Sequence, residues 1–381
     1  MQVQPFARLY VKTQRRIYLL MEPIDSRADP DVDPAEEFSG DGATWQPIPA
    51  GIEVVKKAAA ACGGRIEFTE FPWGCDYYRR HGRMMDDDAF DRLQEFDAIY
   101  LGAIGDPSVP DHIAVWQLIL PIRQRFDQYV NLRPMRLVKG VRTPLADRGA
   151  ADIDMVCVRE NSEGEYGGIG GRVHAGRPEE SAQQLSVFTR HGIERIARYA
   201  FETAMKRPRR LLASATKSNA LNHSMVLWDE VVHGVAKDYP SVSWRKFHVD
   251  ALAARMVTDP ASIDVIVASN LFGDILTDLG AAVSGSLGIA PSGNINPERK
   301  HPSMFEPIHG SALDIKGQGI ANPIGAVWAG ALMLDHLGSR EGHDLIVHAI
   351  EKVLGTDGPR TPDLGGRATT ADVAKAILGA L

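Results

Sequence analysis

Five short apolar runs constrain this chain most: "GRIEFTEF" (64–71), "DAIYLGAIG" (97–105), "DIDMVCVRE" (152–160), "RLLASAT" (210–216) and "IDVIVAS" (263–269). Each has the length of a buried strand. Segments of helical spacing separate them, such as "IERIARYAFETAMKR" (193–207) and "GAVWAGALMLDHLG" (325–338). Strands apolar on both faces need helices over both faces, which parallel strands joined by crossover helices provide. The alternation therefore predicts an α/β protein with buried parallel strands. A sixth run, "RRIYLLM" (15–21), is a candidate first strand, and 381 residues exceed the usual size of one hydrophobic core. Two domains are expected.

The remaining composition mainly excludes functions. A net charge of -7 argues against nucleic acid as the main partner. No run approaches the roughly 18 apolar residues of a membrane span. The three cysteines, Cys62, Cys75 and Cys157, form neither a CxxC nor an even set, which fits a reducing cytosol. Residues 22–37, "EPIDSRADPDVDPAEE", are acidic and proline-rich and read as a solvated, mobile insertion. The first 21 residues hold Arg8, Lys12, Arg15 and Arg16 and no acid, a transit-peptide pattern without a signal-type apolar core.

No GxGxxG occurs: "GDGATW" and "GQGIAN" both lack the third glycine. A dinucleotide bound here does not use the Rossmann fingerprint. Chemistry concentrates in four other places. In "DVIVASNLFGDILTDLGAAVSGSLGIAPS" (264–292) a strand leads into a helix read as starting near Gly273. Asp274 and Asp278 are then i and i+4 in its first turns, facing one way and favoured by the helix dipole. Such a pair suits a hard cation, Mg²⁺ or Mn²⁺; two solvated aspartates would give the same pattern. Asp250, in "FHVDALAARMV", is either a third ligand or an ordinary helix cap. Arg123, Arg133 and Arg159 supply forks for carboxylates, although any one of them alone reads equally as a surface ion pair. Lys217 stands just past a strand in "LLASATKSNAL", where a lowered pKa would make it a base, and Tyr166 is a candidate proton donor. Last, "FEPIHGSALDIKGQGIANP" (305–323) is a long polar loop carrying His309, Gly310, Ser311, Asp314 and Asn322. Asp314 can accept from a ribose hydroxyl and repels a 2′-phosphate, which favours NAD. An ordinary Ω-loop remains the alternative.

Taken in order, "NLRP", "VRENSEGEY", "TKSNAL", "SNLFGDILTDL", "GSLGIAPS" and "EPIHGSALDIKGQGIANP" resemble the β-decarboxylating dehydrogenases, the isocitrate/isopropylmalate dehydrogenase family. The resemblance runs from about residue 47 to the C-terminus. The stretches "FTEFPWGCDYYRRHGRMM", "VPDHIAVW", "FDQYVNLRP", "GGRVHAG" and "IAPSGNINPER" look closest to its tartrate/D-malate branch. The resemblance implies a two-domain α/β fold with a large mixed sheet that is not a Rossmann fold. One domain is built from both termini, 1–128 plus 285–381, on the cofactor side. The other, 129–284, carries substrate, metal and dimer contacts, with an interlocking arm at about 161–190. It implies Arg123, Arg133 and Arg159 on the substrate carboxylates. Asp274 and Asp278 would bind Mg²⁺ or Mn²⁺ with Asp250 of a second chain. Lys217, also from the second chain, would be the base and Tyr166 the donor. NAD would lie against His309, Gly310, Ser311, Asp314 and Asn322, and K⁺ is a further cation. The implied reaction is NAD- and metal-dependent oxidative decarboxylation of a small 2-hydroxy diacid, D-malate or tartrate, by a cytoplasmic homodimer. The family has proline where this chain has Leu313.

Specificity is read around "WQLILPIR", where Trp116, Leu118 and Ile119 are apolar candidates and Gln117-Leu118 replaces a glycine-serine pair of the branch. 3-Isopropylmalate is therefore the alternative substrate. A catalytically impaired relative, acting as a regulatory or interaction subunit, is the alternative of another class. Its motive is "SGDGATWQPIPAGIEVV" (39–55), aligned with the family's cofactor loop. Gly40-Asp41-Gly42 match, Ala43 and Thr44 do not, and Pro47 implies that the helix starts only at Pro49 with its first turn lost. Insertion, loss of the loop and a disrupted reading frame are the three readings of this segment.

Overall fold

The computed structural model describes residues 14–20, 47–355 and 357–381. The leader-like residues 1–13, the acidic segment 22–37 and the glycine loop 40–46 lie outside the described residues. The strands in chain order are β1 (Gln14–Leu20), β2 (Arg65–Phe71), β3 (Ala98–Leu101), β4 (Val130–Arg136), β5 (Asp154–Glu160), β6 (Gly164–Val173), β7 (Ser181–Val187), β8 (Leu211–Thr216), β9 (Ser243–His248), β10 (Val265–Ala268), β11 (Pro291–Ile295) and β12 (Ser303–Pro307). The longer helices, with the short one that carries Arg123, are α1 (Pro47–Ala61), α2 (Leu120–Arg125), α3 (Arg190–Met205), α4 (Ser224–Ala236), α5 (Val249–Thr258), α6 (Asn270–Val283), α7 (Ile324–His336), α8 (Arg340–Gly355) and α9 (Thr370–Ala380).

Ten strands form one sheet in the order β2-β1-β3-β12-β11-β4-β5-β10-β8-β9. β2, β1, β3 and β12 run parallel, as do β5, β10, β8 and β9. Between these groups every pairing is antiparallel: β12 with β11, β11 with β4, β4 with β5. Three reversals leave the two parallel groups pointing in opposite directions. The sheet is therefore mixed and not the doubly wound parallel sheet of a Rossmann fold. The parallel strands read from the apolar runs are found within each group, and the mixed sheet that the resemblance implied arises at the middle, where β4, β11 and β12 carry buried polar residues.

The strands β2-β1-β3-β12-β11 come from the two ends of the chain, and β4-β5-β10-β8-β9 from its middle. They meet at β11–β4 on a polar seam. Asn131 Nδ2 donates to Ser292 Oγ (2.7 Å) and Asn294 Oδ1 (2.9 Å), and Asn161 Nδ2 donates to Asn294 Oδ1 (3.0 Å). Asn294 Nδ2 donates in turn to Glu306 (2.7 Å). These bonds offset part of the cost of burying the groups, while Oδ1 of Asn131 and of Asn161 has no partner among the described residues.

α7 is buried on nearly every side, from Ile324 to Leu334, and packs on α1 and α8. An all-round apolar helix is a core helix, as its sequence indicated. Two helix starts differ from expectation. α1 begins at Pro47, so Pro47 and Pro49 both fall in its first turn, where N–H groups have no intrahelical acceptor anyway. The first turn is present and proline fits it. α6 begins at Asn270, three residues before Gly273. Asp274 and Asp278 thus lie beyond its first turn, where the dipole contributes little. Among the described residues no helix is long and apolar enough to cross a membrane.

Candidate active site

Three buried guanidinium groups converge beside α6. Arg159 ends β5, Arg133 sits in β4 and Arg123 on α2, with 2, 6 and 8% of their surface exposed. Arg159 is pinned by Asn270, whose Oδ1 accepts from its Nη2 (2.7 Å) and Nε (3.2 Å). Its Nη1 meets Asp274. Arg133 donates to Thr277 Oγ1 (2.7 Å) and lies 3.5 Å from Asp274 and 3.8 Å from Asp278. Arg123 donates to Glu306 (2.8 Å). Nε of Arg123 and of Arg133 is buried without a partner among the described residues. Burial costs each guanidinium the most, with Arg133 adding to it at Arg159, and lowers the pKa of Arg133 and, to about 10, that of Arg159. Both remain cations at neutral pH. A cluster of buried cations with unused donors is a receptor for a small polyanion.

The close fit of Arg159 depends on Gly273. A Cβ there would stand 2.5 Å from Arg159 Cγ and 2.7 Å from its Cβ. α6 can approach β5 this closely only because residue 273 has no side chain.

Burial raises the Asp274 carboxyl, but Arg159, Arg133 and Arg123 together outweigh it, so its pKa is lowered. Asp278 is also raised by burial, has weaker help from Arg133, and ends up above the ordinary value. Tyr166, on β6, donates to Asp274 Oδ2 at 3.3 Å; burial and then Asp274 raise its pKa. Asp274 and Asp278 share a helix face and offer hard oxygen donors, which fits a divalent cation. Two carboxylates leave that set incomplete. Among the described residues no group of three or more His, Cys, Asp or Glu side chains is arranged to hold a metal.

The third expected ligand lies elsewhere on the chain. Asp250, in the first turn of α5, pairs with Lys217 Nζ at 2.8 Å. Both stand just past the ends of the neighbouring parallel strands β8 and β9, where Thr216 is in register with His248. Asp250 is 68% exposed. The hydrogen bond from Lys217 holds the Asp250 carboxyl below its usual pKa. One chain therefore carries two partial sites, Arg159–Asp274–Tyr166 and Lys217–Asp250.

A cavity of about 660 Å³ is lined by all five expected loop residues, His309, Gly310, Ser311, Asp314 and Asn322. Its size is that of a pocket for a large organic ligand. The loop turns through Gly317 and Gly319, at φ 78° and 66°, which a side chain would strain. Asp314 makes no ion pair among the described residues. Among the described residues His309 Nε2 is buried without a partner, and desolvation lowers the pKa of that ring. Asn322 donates to Asp363 (2.9 Å), which also accepts from Ser286 Oγ (2.6 Å). Asp363 is not singled out in the sequence, and Glu306 is read only as part of the stretch 305–323. Each acts through a distant residue, Asp363 through Asn322 and Ser286, 41 and 77 positions away, and Glu306 through Arg123, 183 away.

Of the three apolar specificity candidates, Leu118 is fully buried in the core and Ile119 packs against that same core. Trp116 alone is 42% exposed. It belongs to a π turn, Val115–Ile119, closed by Leu120 N–H to Val115 C=O. Pro121 follows, and without an N–H it cannot close the ordinary α bond. The indole lies over Gly168 of β6, where a Cβ would be 2.9 Å from the ring.

Residues 37–377 match the isocitrate/isopropylmalate dehydrogenase family. That match begins ten residues before the boundary read from motifs and takes in Gly40-Asp41-Gly42. The chain is 54% identical over 345 residues to the D-malate dehydrogenase (decarboxylating) of Escherichia coli strain K12, with 89% of this chain and 95% of that protein covered. It is 51% identical over 346 residues to the tartrate dehydrogenase/decarboxylase of Pseudomonas putida, covering 89% and 94%. The crystal structure of isocitrate dehydrogenase from Methylococcus capsulatus superposes with a TM-score of 0.82 at 31% identity, over 96% of this chain and 99% of that one.

Proposed function

The chain belongs to the isocitrate/isopropylmalate dehydrogenase family, and on that footing we propose that it oxidatively decarboxylates a small 2-hydroxy diacid, D-malate or tartrate, with NAD⁺ and a divalent metal, as a homodimer in the cytosol. The observation that carries the reading is the cluster of Arg123, Arg133 and Arg159, buried and under-satisfied beside Asp274 and Tyr166. The arginines take the two substrate carboxylates. The C2 hydroxyl then faces α6, and Lys217 of a second copy removes its proton. Loss of hydride from C2 gives a 2-keto acid whose second carboxylate is β to the ketone, so CO₂ departs and leaves an enolate. Tyr166 hands its proton to C3, the carbon that lost CO₂. A divalent metal would be held by Asp274, Asp278 and Asp250 of a second copy and would supply Lewis acidity at the substrate oxygens. NAD⁺ would be held by the loop from His309 to Asn322, with Asp314 towards its ribose, and would take the hydride from C2.

The split of Lys217–Asp250 from Asp274–Asp278 within one chain supports a site completed by a second copy. So does apolar exposure: Ile275 on α6 is 57% exposed, and Ile169, Val173 and Leu185 of the β6–β7 hairpin are at least half exposed. A lone two-stranded hairpin is marginal in water and gains by interlocking with a partner. In this reading 1–128 plus 285–381 form the cofactor side, and 129–284 the substrate and dimer side.

The test is NADH formation with D-malate, the tartrates and 3-isopropylmalate, with Mn²⁺ or Mg²⁺, with and without K⁺, and after EDTA. Turnover of D-malate or tartrate that EDTA abolishes is expected. Turnover only with 3-isopropylmalate moves the substrate. No thermal stabilisation by NAD⁺, Mn²⁺ and D-malate together would point to the non-catalytic relative.

A further inference from the structure

We propose that Glu165 is a positioning residue for Tyr166: from β6 it caps α6 and so fixes the tyrosine against Asp274. The proposal rests on the reading of Tyr166 as proton donor. Ser269 occupies the N-cap position of α6, yet its side chain accepts no cap hydrogen bond. Its fully buried hydroxyl instead donates to Glu165 Oε1 at 2.8 Å. The next open donor of the helix start, Leu271 N–H, is met by Glu165 Oε2 at 3.0 Å. Both oxygens of one carboxylate thus close the helix from another element, with negative charge at the positive end of the helix.

Adjacent residues of a regular strand point to opposite sides, yet Glu165 and Tyr166 both reach α6, at two heights. Glu165 holds its start, and Tyr166 O–H reaches Asp274 one turn on. The β6–β7 ladder does not fix this stretch. Gly164 pairs with Val187 and Ile169 with Leu185, so five steps on β6 face two on β7. Glu165 and Tyr166 lie inside that irregularity, and their placement falls to contacts with α6. Asn270 Nδ2 adds one bond, to Glu163 C=O at 3.2 Å. Asp274 itself stays anchored by Arg159 and Arg133. Loss of Glu165 should therefore displace Tyr166 while leaving the carboxylate and metal ligands in place.

The experiment compares Glu165→Ala, Glu165→Gln and Tyr166→Phe with the wild type in the full-length protein. We expect Glu165→Ala to lower kcat roughly ten- to hundred-fold, with KM for the diacid and Mn²⁺ affinity by calorimetry within about threefold of wild type. Glu165→Gln, which keeps one acceptor oxygen, should recover most of the loss. Wild-type kcat in Glu165→Ala would overturn the proposal. So would kcat, KM and Mn²⁺ affinity worsening together, or glutamine doing no better than alanine, since a cap of purely structural value behaves that way. If Glu165→Ala does not fold, Glu165→Asp takes its place, and the same split between kcat and KM is required. Tyr166→Phe separates the two levels. If it turns over like wild type, the donor role fails; if it is slow while Glu165→Ala is not, only this inference fails.

Discussion

Gly273→Ala offers a demanding check, because two effects of known sign oppose each other. Alanine replaces glycine inside α6, and helix propensity alone would stabilise the fold by about 1 kcal/mol. The new Cβ, however, lands 2.5 Å from Arg159 Cγ and 3.0 Å from its Cδ. Ordinary carbon contacts begin near 3.5 Å, so either the side chain or the helix must move about 1 Å. Overpacking of that kind costs about 1–3 kcal/mol. Net stability should therefore change little, by about 0–2 kcal/mol of loss. The site should suffer more. Arg159 is pinned by Asn270 and Asp274, so a shift carries its guanidinium away from the substrate carboxylate. A misplacement of about 1 Å costs on the order of 10²-fold in rate, or about 2.7 kcal/mol of transition-state stabilisation. Urea unfolding and kcat/KM for the diacid measure the two quantities on one sample. Gly234→Ala, in α4 with nothing within 4 Å of its Cβ, is the control; it should gain about 0.5–1 kcal/mol and keep its kcat/KM. Wild-type kcat/KM in Gly273→Ala would refute the claim that this glycine sets the position of Arg159.

Lys217→Ala should abolish turnover in the NADH assay while Mn²⁺ and NAD⁺ still raise the melting temperature. Trp116→Ala opens the wall above Gly168 and should raise kcat/KM for 3-alkylmalates relative to D-malate, read as a ratio of the two substrates. Asp106 accepts from Ser108 N–H (2.9 Å) and Oγ (2.6 Å) and pairs with Arg79 (2.9 Å). The Ser108 bonds first, then Arg79, lower its pKa to about 2, below the unfolded value near 3.9. Its contribution, at most about 2 kcal/mol, is present above pH ~4 and is lost as pH falls from there towards 2. The stability difference between wild type and Asp106→Asn in urea should shrink over that window and stay constant from pH 5 to 7.

Much of the site could be read directly from the sequence. The strands β3, β5, β8 and β10 follow from apolar runs, because burial on both faces leaves a signature that needs no partner to interpret; β2, read in the same way, is an edge strand with Arg65, Thr69 and Glu70 exposed. The residues at their exits, Arg159, Lys217 and Asn270 to Asp278, follow from the same rule, and the loop from His309 to Asn322 stands out by composition. Tertiary structure decided the rest. β4, β11 and β12 are central strands whose polar residues bond across the seam, Asn131 and Asn161 to Asn294 and Asn294 to Glu306. Their antiparallel pairing makes the sheet mixed, which the apolar runs alone do not reveal. The partnerships of Arg123 with Glu306, Asn322 with Asp363 and Ser269 with Glu165 join residues 183, 41 and 104 positions apart. No local spacing encodes them. Periodicity reports which face of an element is buried; it is silent on which buried polar group meets which. In this protein those meetings set where the arginines, the tyrosine and the paired aspartates stand.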